Sequence, residues 1–399
     1  MRLYPKTFGA VALAVALAAA GASALEAAAP RGKKTATHRK TAVKAERIPI
    51  LVNVLGGGYY DISKATMPLH DNGYPDLSAL GSSRVIDSVG NPVSSFIYTG
   101  TLSFADGRMF NNTGNGFFVT LPDGSGKKKL GKEGSYLGDG LYAVGSYDSG
   151  FAIMDKDGNV MVPVAPSRYY EKAGEGLIIF CENEKYGAID KTGAVVIAPQ
   201  YDYLSTCSEG YLPAIKEEKA GVIDSKGNVV IPFVYEVNES WGDDDGDPLP
   251  MHVHAGLTAA CKDGNWGVID LKGNVVVPFD YSYAGVGSKG TIRATSLEWD
   301  KNIYFDSKGR KLREDWQLCY GDDPDADFQV FMTEGIDNIK MGYKSADGRV
   351  VIPAAYDMAM EFYGPTALVK TGGAWHLIDR TGKIVKRNVA KFTIGELAG

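Results

Sequence analysis

The chain is poor in the residues that most site chemistry requires. Its 399 residues include only 4 Cys and 5 His, and the cysteines form no Cys-x-x-Cys pair. No His-Glu-x-x-His or Gly-x-Ser-x-Gly segment occurs either. Structural zinc, a zincin centre and a serine-hydrolase elbow therefore have no support. Proline, at 18, is not raised, and apolar runs are scarce. The one long apolar run, Thr7 to Ala20, is N-terminal, which excludes a channel built of several apolar spans. No 3.6-residue periodicity is long enough for a helix outside that run. What is abundant is glycine, 49 residues or about 12% against a usual 7%, with 22 Tyr and 15 Phe. Many short strands joined by tight turns are the expected outcome.

Residues 1–24 read as a secretory signal. Arg2 and Lys6 supply a basic start, Thr7 to Ala20 the apolar core, and Ala22-Ser23-Ala24 the small residues for cleavage before Leu25. A periplasmic or secreted location follows as an expectation, with no transmembrane segment after cleavage. The charge then divides unevenly. The full chain is -6, and losing Arg2 and Lys6 leaves -8. Residues 25–47 carry seven Lys/Arg against two Glu, a basic flexible linker of +5, so the body is -13. An acidic body argues against nucleic acid, whose binding is dominated by cations on phosphate.

The strongest signal is a repeat. Tyr186-Gly-Ala-Ile-Asp190-Lys-Thr-Gly193-Ala-Val-Val-Ile aligns with Ala220-Gly-Val-Ile-Asp224-Ser-Lys-Gly227-Asn-Val-Val-Ile-Pro232. Trp266-Gly-Val-Ile-Asp270-Leu-Lys-Gly273-Asn-Val-Val-Val-Pro278 and Trp375-His-Leu-Ile-Asp379-Arg-Thr-Gly382 are further copies. The turn glycines fall at 90, 124, 158, 193, 227, 273, 309, 348 and 382, at intervals of 34, 34, 35, 34, 46, 36, 39 and 34. A near-constant period defines a repeat protein. In each unit Asp-x-x-Gly is a turn, because Asp can bond its own onward backbone and Gly accepts positive φ. A strand such as Gly-Val-Ile precedes it. Val-Val-Ile follows as a strand expected to be buried on both faces and to end at Pro. A third strand starts after a Gly upstream (Gly176, Gly210, Gly256), giving about three strands per unit. The fold class read from this is all-β: tandem units of about 34 residues forming an open, superhelical array, with a propeller-like ring as the alternative. Degenerate repeats are placed at 48–140, the main array at 141–390, and a tail at 391–399.

Trp266-Gly-Val-Ile-Asp-x-x-Gly-x-Val-Val-x-Pro resembles the WG-repeat (KWG-repeat) family of bacterial proteins. The likeness runs over Phe151 to Val385 and, with decay, from Val85. Two units depart from it: the Asn302 copy lacks aromatic and Gly, and His376 stands where the motif has Gly. The resemblance implies tandem β-repeats with interaction or scaffold roles and implies no catalytic mechanism, cofactor or catalytic residue.

Local candidates are few. Gly285-Val-Gly287-Ser-Lys-Gly290 has the letters of a dinucleotide fingerprint but precedes a strand, so no helix terminus would face a phosphate. The long 46-residue interval holds Asp243, Asp245 and Asp247, then His252 and His254 on one side of a strand. The 39-residue interval holds Asp322, Asp323, Asp325 and Asp327. Carboxylates on a loop suit a hard cation and paired His a transition metal, though neither set is complete. Cys181 and Cys261 sit five residues before the motif aromatic and are expected as small core residues. The motif aromatics are likewise expected to pack. The function read here is a non-catalytic binding or scaffold module for a protein or glycan at the cell envelope. The alternative is an envelope hydrolase or metal-dependent enzyme using the acidic loops.

Overall fold

The computed structural model describes residues 47–391 except 57–58, 67–79, 94–101, 167, 238–250, 316–318, 321–322, 334–338 and 363. The expected signal peptide, the basic linker before Arg47 and the tail after Lys391 lie outside the described residues. Within them every named element is a strand, and the strands form nine antiparallel sheets in chain order. The sheets span 47–87, 102–131, 133–165, 169–201, 203–236, 257–281, 283–315, 319–356 and 358–391. Seven have four strands and two, the first and sixth, have three. Each is a simple meander, so consecutive strands pair.

The expectation of three strands per unit is corrected to four. The extra strand comes first in its sheet and is often two residues long, as at Tyr203–Leu204 and Met358–Ala359. So short a segment leaves no periodic trace in the sequence. Several first-to-second and second-to-third connections are two-residue turns with positive φ at both positions, as at Glu175-Gly176 (53° and 82°) and Glu217-Glu218 (53° and 60°). Such turns match the right-handed twist of the flanking strands. The third-to-fourth connection is the Asp-x-x-Gly turn. Asp224 Oδ1 accepts from the amides of Lys226 (2.9 Å) and Asn228 (2.8 Å), and Asn228 Nδ2 donates to Oδ2 (2.8 Å).

The fourth strand differs from expectation in two ways. It does not end at proline: Val229–Glu236 runs through Pro232, and Val275–Tyr281, the last strand of the three-stranded sixth sheet, through Pro278. Val222 pairs with Ile231 and Ala220 with Tyr235, so the proline lies in a bulge of an edge strand, where a missing N–H costs nothing. The bulge folds over the motif glycine, and a Cβ on Gly221 would lie 2.7 Å from the Ile231 carbonyl oxygen. Nor is the strand buried on both faces. Of the Val-Val-Ile run only the third residue is inside: Ile197 is 2% exposed, while Val195 is 52% exposed. The strand pairs on one side only, which leaves its other edge and outer face to solvent.

Both departures from the motif are accommodated. Strand pairing is intact at Asn302–Phe305. In the last unit the buried His376 takes the glycine position, and its Nδ1 accepts the Asn388 amide at 3.1 Å.

Neighbouring sheets meet by a repeated contact. The turn glycine of one sheet lies against the last strand of the sheet before it: Gly193 on Val162, Gly227 on Ile197, Gly309 on Val276 and Gly382 on Ile352. Gly90, in the first sheet, makes the same contact with Lys386 and Leu377 of the ninth. Ile86 packs there with Leu368, Trp375 and Leu377, and Thr366 Oγ1 donates to the Ser88 carbonyl at 2.9 Å. An open array would leave its end sheets unpartnered on one side. These ends meet, so of the two arrangements the propeller-like ring is the one the contacts build, and no single sheet closes into a barrel.

The core is correspondingly distributed. Apolar clusters sit between sheets, as with Leu177, Ile197 and Tyr201 of the fourth against Leu204, Leu212 and Ile223 of the fifth. Each such fully buried aliphatic side chain contributes about 1.5–3 kcal/mol.

Two glycines separate turn strain from sheet contact. Gly309 (φ 76°) and Gly273 (φ 84°) share the turn conformation, but a Cβ on Gly309 meets the Val276 carbonyl oxygen while one on Gly273 meets nothing within 4 Å. Gly273→Ala should cost about 1 kcal/mol and Gly309→Ala about 2–4 kcal/mol. Chemical denaturation of both variants measures the difference, and equal losses would remove the sheet contact from the account.

Candidate functional site

The sequence candidates separate on inspection. Asp243, Asp245 and Asp247 lie outside the described residues. His252 and His254 are half-buried and alternate with the buried Met251 and Val253, in a segment that belongs to no named strand. Asp323 and Asp325, from the other long interval, come to the turn at 287–291. Asp323 accepts from the Ser288 amide (3.0 Å) and hydroxyl (2.6 Å), while Asp325 Oδ2 accepts from the amides of Lys289 (2.7 Å) and Thr291 (3.1 Å). Burial opposes ionisation of Asp323, yet the Ser288 and Asp325 donors and the nearby His254 hold it below the usual carboxylate range. The two long intervals therefore approach each other at His254 and Asp323. Among the described residues no group of three His, Cys, Asp or Glu is placed to hold a metal ion.

The glycine loop 285–290 is instructive. Its backbone amides do receive an anion, as in a phosphate cradle. The anions are the chain's own Asp323 and Asp325 carboxylates.

That arrangement is one case of a general device which sequence reasoning missed. On the face carrying the first-to-second turns, Asp106 Oδ2 accepts the Gly140 amide (2.7 Å) and Glu175 Oε2 the Gly210 amide (2.8 Å). Glu209 takes the amides of Ala255 (2.8 Å) and Gly256 (3.2 Å). Each carboxylate thus bridges one sheet's turn to the next sheet's turn. On the opposite face the acid following the fourth-strand tyrosine caps the second-to-third turn. Asp202 accepts from Glu217 N, Glu236 from Asp263 and Gly264 N, and Asp357 from Gly372 N. Lys185 pairs with Asp202 and Lys340 with Asp357. The signal was present as an acidic residue immediately after the recurring tyrosine, at Tyr201-Asp202, Tyr235-Glu236 and Tyr356-Asp357.

The cysteines follow their expected role. Cys181 and Cys261 are buried opposite Tyr186 and Trp266, and with Cys207 they are free thiols. Burial, then the neighbouring Glu175, pushes the Cys207 thiol up to about 12. Burial, then Glu236, pushes Cys261 up to about 11. Both stay protonated and poorly nucleophilic at neutral pH. The motif aromatics pack as well: Trp266 and Trp375 are buried, and Trp266 pairs across strands with Tyr281.

A cleft of about 160 Å³ lies between the third and fourth sheets, lined by Asp106, Tyr136, Asp139, Lys172 and Lys191 among others. Lys191 pairs with Asp139 at 2.9 Å, and the Tyr136 hydroxyl donates to Asp106. The volume is below that of pockets for drug-sized ligands.

The bridges and turns make two predictions. Glu209→Ala removes the acceptor of two turn amides that water reaches, and should cost about 1 kcal/mol in a denaturation measurement. Secondly, hydrogen bonds from Thr192, Asn274 and Thr381 hold Asp190, Asp270 and Asp379 below the ordinary carboxylate range. A depressed folded-state pKa contributes stability above the unfolded value near 3.9 that is lost as pH falls through the folded value. Thermal melts should therefore be flat above pH of about 5 and fall below about 4, with Asp270→Asn reducing the fall.

Comparison with known proteins bears on these repeats. The model of the WG containing repeat matches residues 186–219, 221–237, 266–294 and 341–375. No curated protein matches the chain. Among solved structures, the chain is similar to BamB from Moraxella catarrhalis at 13% identity and a TM-score of 0.36, over 71% of this chain and 92% of that one. Hsv2p from Kluyveromyces lactis is similar at 10% identity and a TM-score of 0.36, over 61% and 97%. The chain contains WG repeats at these four positions.

Proposed function

We propose that this protein is exported to the cell envelope and acts there as a non-catalytic binding or scaffold module for a protein partner. The observation that carries the reading is a set of exposed aliphatic side chains at one repeat position. Val160, Val195, Val229, Val275 and Val350 each begin the last strand of a sheet, and each is 52–56% exposed. A repeat array offers a partner the same group at regular spacing, and such serial surfaces are how repeat proteins bind. Exposed aliphatic groups favour a protein partner, because the aromatic residues of the motif, which would stack on sugar, are turned inward. The N-terminal pattern of residues 1–24 supports export.

Two measurements test this. A chain recovered from the periplasm or medium should begin at Leu25, and recovery only from the cytoplasm with residues 1–24 attached would overturn export. The variant Val195→Ser, Val229→Ser, Val275→Ser, Val350→Ser removes exposed groups only, so its melting temperature should stay within a few degrees of wild type. It should capture at least tenfold less of the protein that the wild-type chain retains from envelope extract. Equal capture by both would overturn the binding surface.

A further inference from the structure

One junction of the ring is chemically unlike the others. Eight are filled by apolar clusters drawn from both sheets. Between the seventh and eighth sheets the described residues place Arg313, Asp315 and Lys344, with Arg313 over the buried Tyr304 ring and Lys344 Nζ 4.9 Å from the centre of the buried Phe331 ring. Lys344 occupies the repeat position of Ile189, Ile223, Ile269 and Ile378, all fully buried, and is itself 5% exposed. Arg313 occupies the position of Ile197 and Ile352, and Asp315 that of Phe233 and Phe279. Lys344 Nζ lies 2.9 Å from both Asp315 oxygens, and Arg313 Nη1 lies 3.1 Å from Oδ2. Arg313 Nη2 donates to the Ala346 carbonyl at 3.2 Å, and its guanidinium carbon stands 3.4 Å from the centre of the Tyr304 ring.

We propose that this junction is a gate, the place where the ring parts reversibly while its other junctions hold. Separating an apolar junction exposes apolar surface and gains nothing in return. Separating this one returns two cations and a carboxylate to water, which recovers the desolvation their burial cost. The ionic junction is therefore the cheapest to open, and local opening occurs where its cost is lowest. The turn at 287–291 reports on it, because its amides are given to Asp323 and Asp325 across the same junction. The proposal is independent of the valine surface and of export.

Hydrogen exchange of the full chain, resolved by peptide and corrected for intrinsic rates, tests it. The amides of Ser288, Lys289 and Thr291 should exchange at least tenfold faster than those of Gly140, Gly210, Ala255 and Gly256, which are held across other junctions. Equal or slower exchange overturns the gate without recourse to any variant. In Arg313→Ile, Asp315→Phe, Lys344→Ile, which restores the residues of other units, exchange at 288–291 should slow at least tenfold and become like the rest. A folded variant whose 288–291 exchange is unchanged also overturns it.

Discussion

At several junctions a glycine in the turn before a sheet's last strand lies against the last strand of the sheet before it, and the spacing of those sheets depends on that contact. The turn needs positive φ, and the approach leaves no space for a Cβ at positions such as Gly309. The preceding Asp fixes the turn by accepting the amides two and four residues on, so the glycine is presented in the same way in unit after unit. Where the contact joins a sheet to its predecessor, as at Gly193, Gly309 and Gly382, it sets sheet-to-sheet geometry as well as local turn shape. Gly90 makes it with the last sheet, which turns a series into a ring.

Acidic residues supply the second layer of order. A -13 body reads at first as a solvated surface, yet many of its carboxylates accept turn amides: Asp106, Glu175, Glu209, Glu236 and Asp357. A carboxylate near a turn with positive φ offsets part of the strain by satisfying N–H groups that the tight backbone leaves unpaired. The same chemistry explains why the glycine loop at 285–290 is no nucleotide cradle. Its amides point at an anion, and the chain provides that anion from residues 323 and 325.

Some of the site was legible in advance and some was not. Alternation put the buried Met251 and Val253 on either side of His252, as the exposures show. That Asp323 and Asp325 serve a backbone turn, and that His254 comes near Asp323, depends on the stacking of three sheets, which no local pattern encodes. The exposed valines misled for a related reason. Val-Val-Ile looks like a buried strand by composition, but only the third residue faces the neighbouring sheet, and edge position leaves the first two outside.

By itself the sequence determined the strand-only architecture, the period of about 34 and the turn chemistry, because each is set by residues within a few positions of one another. It also marked the core slots of Cys181 and Cys261 and the inward place of the motif aromatics. Tertiary structure alone decided that units have four strands, since two-residue strands exist only through their partners. It also decided that the ends meet, and that among the described residues one junction holds Arg313, Asp315 and Lys344 where others hold apolar clusters. Those three features rest on contacts between residues tens to hundreds of positions apart, as between Thr366 and Ser88, and only the folded chain brings such residues within reach.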